Sequence, residues 1–344
     1  MKITKKGAIE IQFNWIYIAV VGVILLTIFI NIAGGIRKGA QQQLAIEAVN
    51  IFDEIFTSLQ GSEKTEHSIT LPGIELELAS DDEVCNYYAI KDSDFGRRST
   101  EYLPVFSPNL IKKEILSYSI GWDIPFRTNY FLYLTSPDIA YVYVGQGLDI
   151  IDLQDNMPDH LTKEKVNTVP EFINHNYYKV KFISYSSLDN DEVSRSVAKL
   201  SDKDVTGVYI NENDKSITYY EKDSDVLTEK SISYYIDDAT LFAAIYSDNP
   251  GSYECNLKKA MLRINKISNM LVKRIDLITK SNLLPECKSE TSSYNQAKTL
   301  LTQLKDETKT QVVSKNKIQS LINIKEDLQN INNKLNRKSC PTLY

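Results

Sequence analysis

A chain of 344 residues with 42% hydrophobic and 24% charged residues has the balance of a globular protein and room for more than one compact unit. A mean hydropathy of -0.28 excludes a membrane protein with many spans. The net charge of -6 conceals an asymmetry, because residues 251–344 hold 17 Lys and Arg against 8 Asp and Glu. A basic part beside an acidic middle fits a surface for an anionic polymer, two parts that face each other, or two parts that sit apart in solvent.

The first feature in chain order is an apolar run of 18 residues without formal charge, from Trp15 to Ile32. A helix that spans a bilayer needs about 20 mostly apolar residues, whereas a cleaved secretory signal has an apolar core of about 7–15. Trp15 and Tyr17 stand at the start of the run, where amphipathic rings suit the headgroup layer. The sequence therefore predicts a transmembrane helix over residues 15–36 that contacts lipid.

The orientation of this helix follows from the flanking charges. Three lysines precede the run, and Arg37 and Lys38 follow it, which gives a weak positive-inside bias. Residues 1–14 are then a short cytoplasmic tail. The prediction is a single-pass protein of the cell membrane, with its N-terminus inside and the bulk of the chain extracytoplasmic.

The N-terminal sequence KKG, followed by a polar patch and the apolar run, resembles a class III signal, which prepilin peptidases read in pilins and archaellins. In such families cleavage follows the glycine, here Gly7, and Ala8 would begin a segment that packs with other copies in a filament core. The chain departs from bacterial pilins, since the first mature residue would be Ala rather than Phe and Glu10 would stand third rather than fifth. A pilin-like filament subunit and an uncleaved signal anchor both remain open.

A second resemblance extends over more of the chain. Its four segments are KGAIEIQFNWI (6–16), PFRTNYFLYLTSP (125–137), YECNLKKA (253–260) and SCPTLY (339–344). They are similar to a group of uncharacterised single-span membrane-anchored proteins of small-genome archaea. The resemblance implies a membrane anchor and a cysteine framework, and it implies no activity.

Three kinds of region follow the predicted span. Residues 37–61 have apolar side chains near helical spacing and predict a helical stalk that ends at Gly61. Residues 68–147 alternate in runs rich in Ile, Val, Tyr and Phe between prolines, which predicts an antiparallel β region. Residues 148–250 mix strands with short helices and predict an α/β region, which either shares a core with the β region or forms its own domain.

Two helices of the α/β region are predicted from capping signals. The segment DNDEVSRSVAKL, residues 189–200, has Asn190 or Asp191 as a candidate cap and acidic residues in its first turn. The segment DDATLFAAIYS, which begins at Asp237, has that residue or Asp238 as its cap. Between strands and helices, YYKVKFISY at 177–185 is typical of a buried strand.

The last region, residues 251–344, predicts three helices, because apolar residues recur at steps of three and four in three successive stretches. Short links favour an antiparallel helical bundle or a docked hairpin. The predicted fold class is therefore α+β: an N-terminal transmembrane helix, a mostly antiparallel β and α/β ectodomain, and C-terminal antiparallel helices.

The four cysteines predict two disulfides. No C-x-x-C pair indicates zinc, and an even count favours an oxidising compartment. A first C-terminal helix of roughly 37 Å separates Cys255 from Cys287, which is too far for a bridge that needs Cα atoms within about 7 Å. The second helix returns and the third runs out again, so we expect Cys287–Cys340 and, by elimination, Cys85–Cys255. The alternative is four reduced thiols in a cytoplasmic domain.

The residues that could carry chemistry do not form a known motif. The three histidines stand in polar, loop-like stretches, which favours exposed or structural roles: His67, His160 and His175. A carboxylate run recurs about every three residues but lacks the order of a calcium loop, which favours a solvated surface: Asp149, Asp152, Asp155 and Asp159. VGQG at 144–147 lacks the remainder of a nucleotide-binding motif and predicts a turn. Glu192 and Arg195 are expected as a surface pair.

The predicted function is that of a structural or interaction protein, acting in surface architecture, attachment or partner binding. No catalytic constellation, metal site or cofactor is predicted, and the basic helices lack the aromatic residues and motifs of nucleic-acid binding. The expected partners are membrane lipid at residues 15–36, another protein or a second copy, and an anionic surface polymer at the C-terminal helices. A ligand-binding or sensor ectodomain is the remaining alternative.

Overall fold

The computed structural model describes residues 66–79, 87–91, 96–98, 103–280, 285–309 and 314–344, together with Val23, Thr27, Ile46 and Asn50. The predicted processing site at Gly7 and Ala8, most of the segments 15–36 and 37–61, and Cys85 lie outside the described residues. Within the described part of the chain, no helix is both long enough and apolar enough to cross a membrane.

The first sheet has the strand order β3-β2-β1-β5-β6-β4, and its neighbouring strands are antiparallel except for the parallel pair β4 and β6. Its strands are β1 (Glu66–Ala79), β2 (Tyr87–Ile90), β3 (Gly96–Arg98), β4 (Val105–Phe106), β5 (Leu110–Asp123) and β6 (Arg127–Thr135). Apolar and polar residues alternate along β1, so its side chains alternate between the core and solvent: Leu76 and Leu78 are buried, whereas Glu77 between them is exposed. The pairing of β1 with β5 shifts register around Gly73, whose φ of 70° is a conformation that glycine adopts without strain.

The second sheet has the order β12-β11-β10-β9-β7-β8, in which β8, β7, β9 and β10 are parallel and β11 and β12 are antiparallel. Its strands are β7 (Ile139–Val144), β8 (Thr162–Val166), β9 (Lys179–Ser184), β10 (Val205–Asn211), β11 (Ser216–Asp223) and β12 (Val226–Tyr234). Helix α1 (Leu148–Asn156) joins β7 to β8, and α2 (Arg195–Ala198) joins β9 to β10. Every residue of β7 and β9 is buried, as expected for parallel strands covered on both faces.

Two local expectations differ from the structure. Strand β7, expected within the antiparallel region 68–147, lies at the centre of the parallel strands instead. The helix expected over 189–200 shortens to α2, because the backbone before it pairs with β12: Asn190 N–H donates to the Leu227 carbonyl, and Leu227 N–H donates to the Asp191 carbonyl, at 2.8 and 2.9 Å. The second pairing occupies the Asp191 carbonyl, which a helix would need as an acceptor, so pairing with a distant strand overrides the local capping signal.

The C-terminal part is helical, with α3 (Asp238–Tyr246), α4 (Pro250–Lys280), α5 (Thr291–Lys309) and α6 (Lys315–Arg337). The predicted cap of α3 is present, since the Asp237 carboxylate accepts the Thr240 N–H at 3.1 Å. The first half of α4 packs against the first sheet, and its second half packs against α5.

Helices α4 and α5 run antiparallel. Asp276, late on α4, pairs with Lys298 at 2.6 Å, whereas the earlier Asn265 donates to the carbonyl of the later Lys305. Helix α6 then packs on α5. The mixed α+β architecture, the antiparallel strand pairing and the C-terminal helices agree with those parts of the predicted fold class, whereas most of the predicted transmembrane helix lies outside the described residues.

One cluster of buried side chains connects these parts. It contains Trp122 of the first sheet, Tyr141 of the second, Leu257 of α4, Leu301 of α5 and Leu328 of α6. Each of these side chains is at most 1% exposed. The β region, the α/β region and the helices thus share a core, which positions the polar groups described next.

Candidate functional site

A polar part of the interior surrounds two lysines of β9. Lys179 and Lys181 lie two residues apart, so both project from the same face of the strand, and both are 2% exposed. Lys179 forms an ion pair with Asp248, which follows α3, and donates to the Lys203 carbonyl at 3.2 Å. The Lys181 ammonium donates to the Ser247 carbonyl.

This lysine–aspartate network joins three parts of the fold. Asp248 Oδ2 also accepts the backbone N–H of Asn109, just before β5, at 2.8 Å. One carboxylate therefore connects the first sheet, the second sheet and the junction between α3 and α4. The Lys181 ammonium also lies 5.9 Å from the centre of the Tyr219 ring, within the range of a cation–π contact.

The protonation of Lys181 is altered by this setting. Burial lowers the pKa of its amine to about 7, the charge of Lys179 acts in the same direction, and the Asp248 carboxylate opposes both. Buried amines with such a pKa occur in active sites. Here both amines contact protein acceptors and are closed off from solvent, so the network is suited to holding the sheets together rather than to chemistry on a substrate.

A third buried lysine also binds backbone carbonyls and a carboxylate. Lys222 of β11 donates to the carbonyls of Ala198 and Leu200 at 3.0 and 2.6 Å, and lies 3.2 Å from an Asp202 oxygen. These carbonyls follow the end of α2, where a cation satisfies otherwise unpaired acceptors. The sequence analysis missed all three lysines. For Lys179 and Lys181 the sequence shows only KVK, two charges at alternate positions of a strand that is otherwise apolar, which does not reveal that this face is buried.

His160 is the one histidine that the fold partly buries, among the three. Its Nδ1 lies 3.3 Å from a Glu66 oxygen, its Nε2 lies 3.3 Å from the Tyr246 hydroxyl, and its ring packs 5.6 Å from that of Tyr118. Burial lowers the pKa of the imidazole, while Glu66 opposes that shift. The contacts connect the start of β1 with the loop after α1, and none of them offers a nucleophile.

The other residues singled out in the sequence lie apart from this histidine. His67 and His175 are exposed, and so are all four aspartates of the carboxylate run, on and after α1. In the described part of the chain, no group of His, Cys, Asp and Glu is arranged to hold a metal ion. Gly145 has a φ of 126° between β7 and α1, as expected of a turn. Glu192 pairs through its backbone with Val226, and no ion pair between described residues joins it to Arg195.

A disulfide links the start of the last two helices' region to the C-terminal segment. Cys287 and Cys340 are disulfide-bonded with their Cα atoms 5.7 Å apart, consistent with the pair expected from helix geometry. The adjacent Glu290 carboxylate, 3% exposed, binds Lys334 at 3.0 Å and also Lys338. Hydrogen bonds from these two lysines and from a serine lower the pKa of Glu290 to about 2. Cys255 is also disulfide-bonded, and its expected partner lies outside the described residues.

Three of the four segments that carry the second resemblance meet at one buried junction. Asn129 of β6 donates to the Ala260 carbonyl of α4 at 3.4 Å. The rings of Phe126 and Tyr344 lie 5.5 Å apart, which places the C-terminal segment against the β5–β6 connection. The contacts described between these segments are therefore packing and hydrogen-bonding contacts.

The surface offers a different kind of feature on α4. Its second half exposes side chains at steps of three and four, which lie on one helix face: Arg263, Lys266, Met270, Lys273, Arg274, Leu277 and Lys280. The row is called the α4 basic face below. A shallow depression on the neighbouring α5 is open to solvent and is lined by polar side chains of that one helix.

No protein-family model, curated protein or solved structure matches the chain. The interior charges are occupied by structural contacts, so the argument for function depends on the N-terminal segment, the disulfides and the exposed surface.

Proposed function

We propose that the chain is a single-pass, membrane-anchored extracytoplasmic protein with a structural or partner-binding role in surface architecture or attachment, and that it is not an enzyme. The observation that carries the proposal is the exposure of the apolar segment's described residues. Val23 is helical and 63% exposed, and Thr27, one turn later, is helical and exposed. An apolar side chain such as that of Val23, uncovered within an apolar sequence segment without formal charge, needs another apolar environment, and a bilayer supplies it.

The one polar group described in this segment is compatible with lipid. The Thr27 hydroxyl donates to the Val23 carbonyl at 2.7 Å. A hydroxyl satisfied within its own helix removes most of the cost that an unpaired polar group has in hydrocarbon. Thr27 is therefore tolerated within a transmembrane helix over residues 15–36.

The disulfides support the proposed side of the membrane. Cysteine pairs such as Cys287–Cys340 form and persist in oxidising compartments and are rare in the cytoplasm. Three basic residues before the apolar run are consistent with a cytoplasmic N-terminus. We therefore assign residues 1–14 to the cytoplasm and the folded part to the outside.

The partner-binding role rests on the surface, since the buried lysines have structural partners. The α4 basic face is the exposed feature that combines positive charge with apolar side chains, and it suits an anionic partner. If the chain is instead a pilin-like filament subunit, its copies would also have to associate through their N-terminal segments.

The test is the location and the mature N-terminus of the native protein. We expect the chain to stay in membranes washed with alkaline carbonate, to be digested by protease added to intact cells, and to begin at Met1. Release by carbonate, or alkylation of all cysteines in intact protein without reductant, would contradict the proposal. A start at Ala8 would instead favour processing and a pilin-like filament.

A further inference from the structure

The α4 basic face is one continuous surface on the second half of the helix. Arg263 and Lys280, at its ends, are separated by roughly 25 Å of helix at 1.5 Å per residue. Lys266, Lys273 and Arg274 lie between them, and all five cations are exposed. An extended row of this kind can contact several anionic groups at once.

The positive charge of this surface is not cancelled from within the helix. Helix α4 contains only two carboxylates. Glu254 accepts a hydrogen bond from Ser233 at 2.9 Å, and Asp276, on the side facing α5, is paired with Lys298. Among described residues, Arg263 and Lys273 have no ion-pair partner. The surface therefore presents a net positive potential to solvent.

Two large apolar side chains lie within the row of cations. Met270 is 67% exposed and Leu277 is 71% exposed. They are seven residues apart and so lie on the same face, about 10 Å from each other along the axis. Water-soluble polyanions gain little from such side chains, whereas the headgroup layer of a bilayer accepts cations at its phosphates and apolar groups just below them.

The same face of α4 is an interface in the first half of the helix. Asn256 and Lys259 continue the row toward the N-terminus at the same steps of three and four, and they are 0% and 6% exposed. Asn256 accepts the backbone N–H of Val105 at 3.0 Å, so this half packs on the first sheet. Beyond Ala260 the face continues without the sheet, and a second surface can cover it.

We propose that the α4 basic face lies on the anionic headgroup layer of the membrane, with its cations at lipid phosphates and with Met270 and Leu277 at the boundary with the acyl chains. This inference rests on the proposed membrane anchor, which keeps the folded part near the bilayer. It assigns the lipid surface itself as the partner and gives the folded part a fixed orientation on the membrane.

The test places a fluorescent reporter on the surface in the full-length chain. The chain has two tryptophans, and Trp122 is 1% exposed. In a Trp15→Phe background, Leu277→Trp is reconstituted into vesicles whose lipids carry bromine on the acyl chains, which quenches nearby indoles. The matched control is Ile173→Trp. Ile173 is 60% exposed and lies in the connection between β8 and β9 of the second sheet.

We expect strong quenching of Leu277→Trp in vesicles that contain anionic phospholipid, weaker quenching in zwitterionic vesicles, and none of Ile173→Trp in either. Each cation near such a surface contributes a factor of about five to partitioning, so Lys273→Gln with Arg274→Gln lowers the surface-bound fraction relative to the free fraction by about 25-fold. High salt should have the same effect.

The outcomes separate this inference from the anchor on which it rests. Quenching of Trp15 in the chain with its natural sequence reports the anchor directly, and its absence would refute the anchor. If Trp15 is quenched but Leu277→Trp behaves like Ile173→Trp, the lipid assignment for α4 is wrong. A change in Leu277→Trp emission on addition of inorganic polyphosphate, without quenching by lipid, would identify a soluble polyanion as the partner and overturn the proposal.

Discussion

Replacing Asp248 with alanine tests whether the buried network holds the two sheets together. Lys179 and Asp248 are 3% and 5% exposed in their side chains, so the change leaves the Lys179 ammonium buried without its counter-charge. It also removes the acceptor of the Asn109 N–H. Breaking a buried ion pair by removing one partner costs about 3–5 kcal/mol. We expect a loss of that size in the free energy of unfolding.

An exposed pair supplies the matched control. Lys315 and Asp214 form an ion pair with side chains 59% and 46% exposed. Because water and salt screen such a pair, Asp214→Ala should cost less than about 1 kcal/mol. Both variants are measured by urea unfolding of the full-length chain in detergent with the disulfides intact, followed by fluorescence of Trp122, which is buried.

A double variant separates pairing from packing. Lys179→Met with Asp248→Leu removes both charges, and replacement of a buried pair by apolar groups is often neutral or stabilising. We expect it to be more stable than Asp248→Ala alone. If Asp248→Ala costs no more than Asp214→Ala, the buried ion pair does not hold the two sheets together. The same conclusion follows if the double variant is less stable than Asp248→Ala.

Three further predictions concern a histidine, a disulfide and a helix cap. Burial lowers the folded-state pKa of His160, so the unfolded chain binds more protons below about pH 6.5 and stability falls as pH drops below that value; urea unfolding from pH 5 to 8 should show this slope disappear in His160→Gln and persist in His175→Gln. Cys340→Ser opens a loop with a sequence separation of 53, which costs about 4 kcal/mol by the chain-entropy relation; an unchanged urea midpoint would contradict this. Asp237→Ala should cost about 1–2 kcal/mol for the lost α3 cap and more because the Trp122 indole N–H, 3.0 Å away, loses its acceptor; a loss equal to that of Asp237→Asn, which keeps a capping oxygen, would contradict both contributions.

The elements that sequence reasoning located well are those with local signals. The apolar stripe of α4, including Ile264, Leu271 and Ile275, is read directly from steps of three and four, and all three residues are buried. The Asp237 cap is predictable because a carboxylate just before a helix accepts a backbone N–H of the first turn, here that of Thr240. The Cys287–Cys340 pair follows from counting helix lengths, because each helix reverses the direction of the chain.

What could not be predicted depends on partners far away in sequence. The run IAYVYV of β7 is apolar throughout, and a single strand does not show whether its neighbours will be parallel. Residues 189–194 carry the capping signals of a helix start, but pairing with Leu227 decides their conformation. The interior position of Lys179 and Lys181 becomes evident only when Asp248 is placed opposite them.

The contact between Phe126 and Tyr344 has a consequence for how the protein is made. The β5–β6 connection belongs to the first sheet, yet one wall of its packing is supplied by residues 339–344. During synthesis, that side of Phe126 stays uncovered until residues 339–344 have been made. Because contacts between distant segments form late and leave apolar surface open meanwhile, we expect this hairpin to be open to aggregation or chaperone binding while the chain is being made.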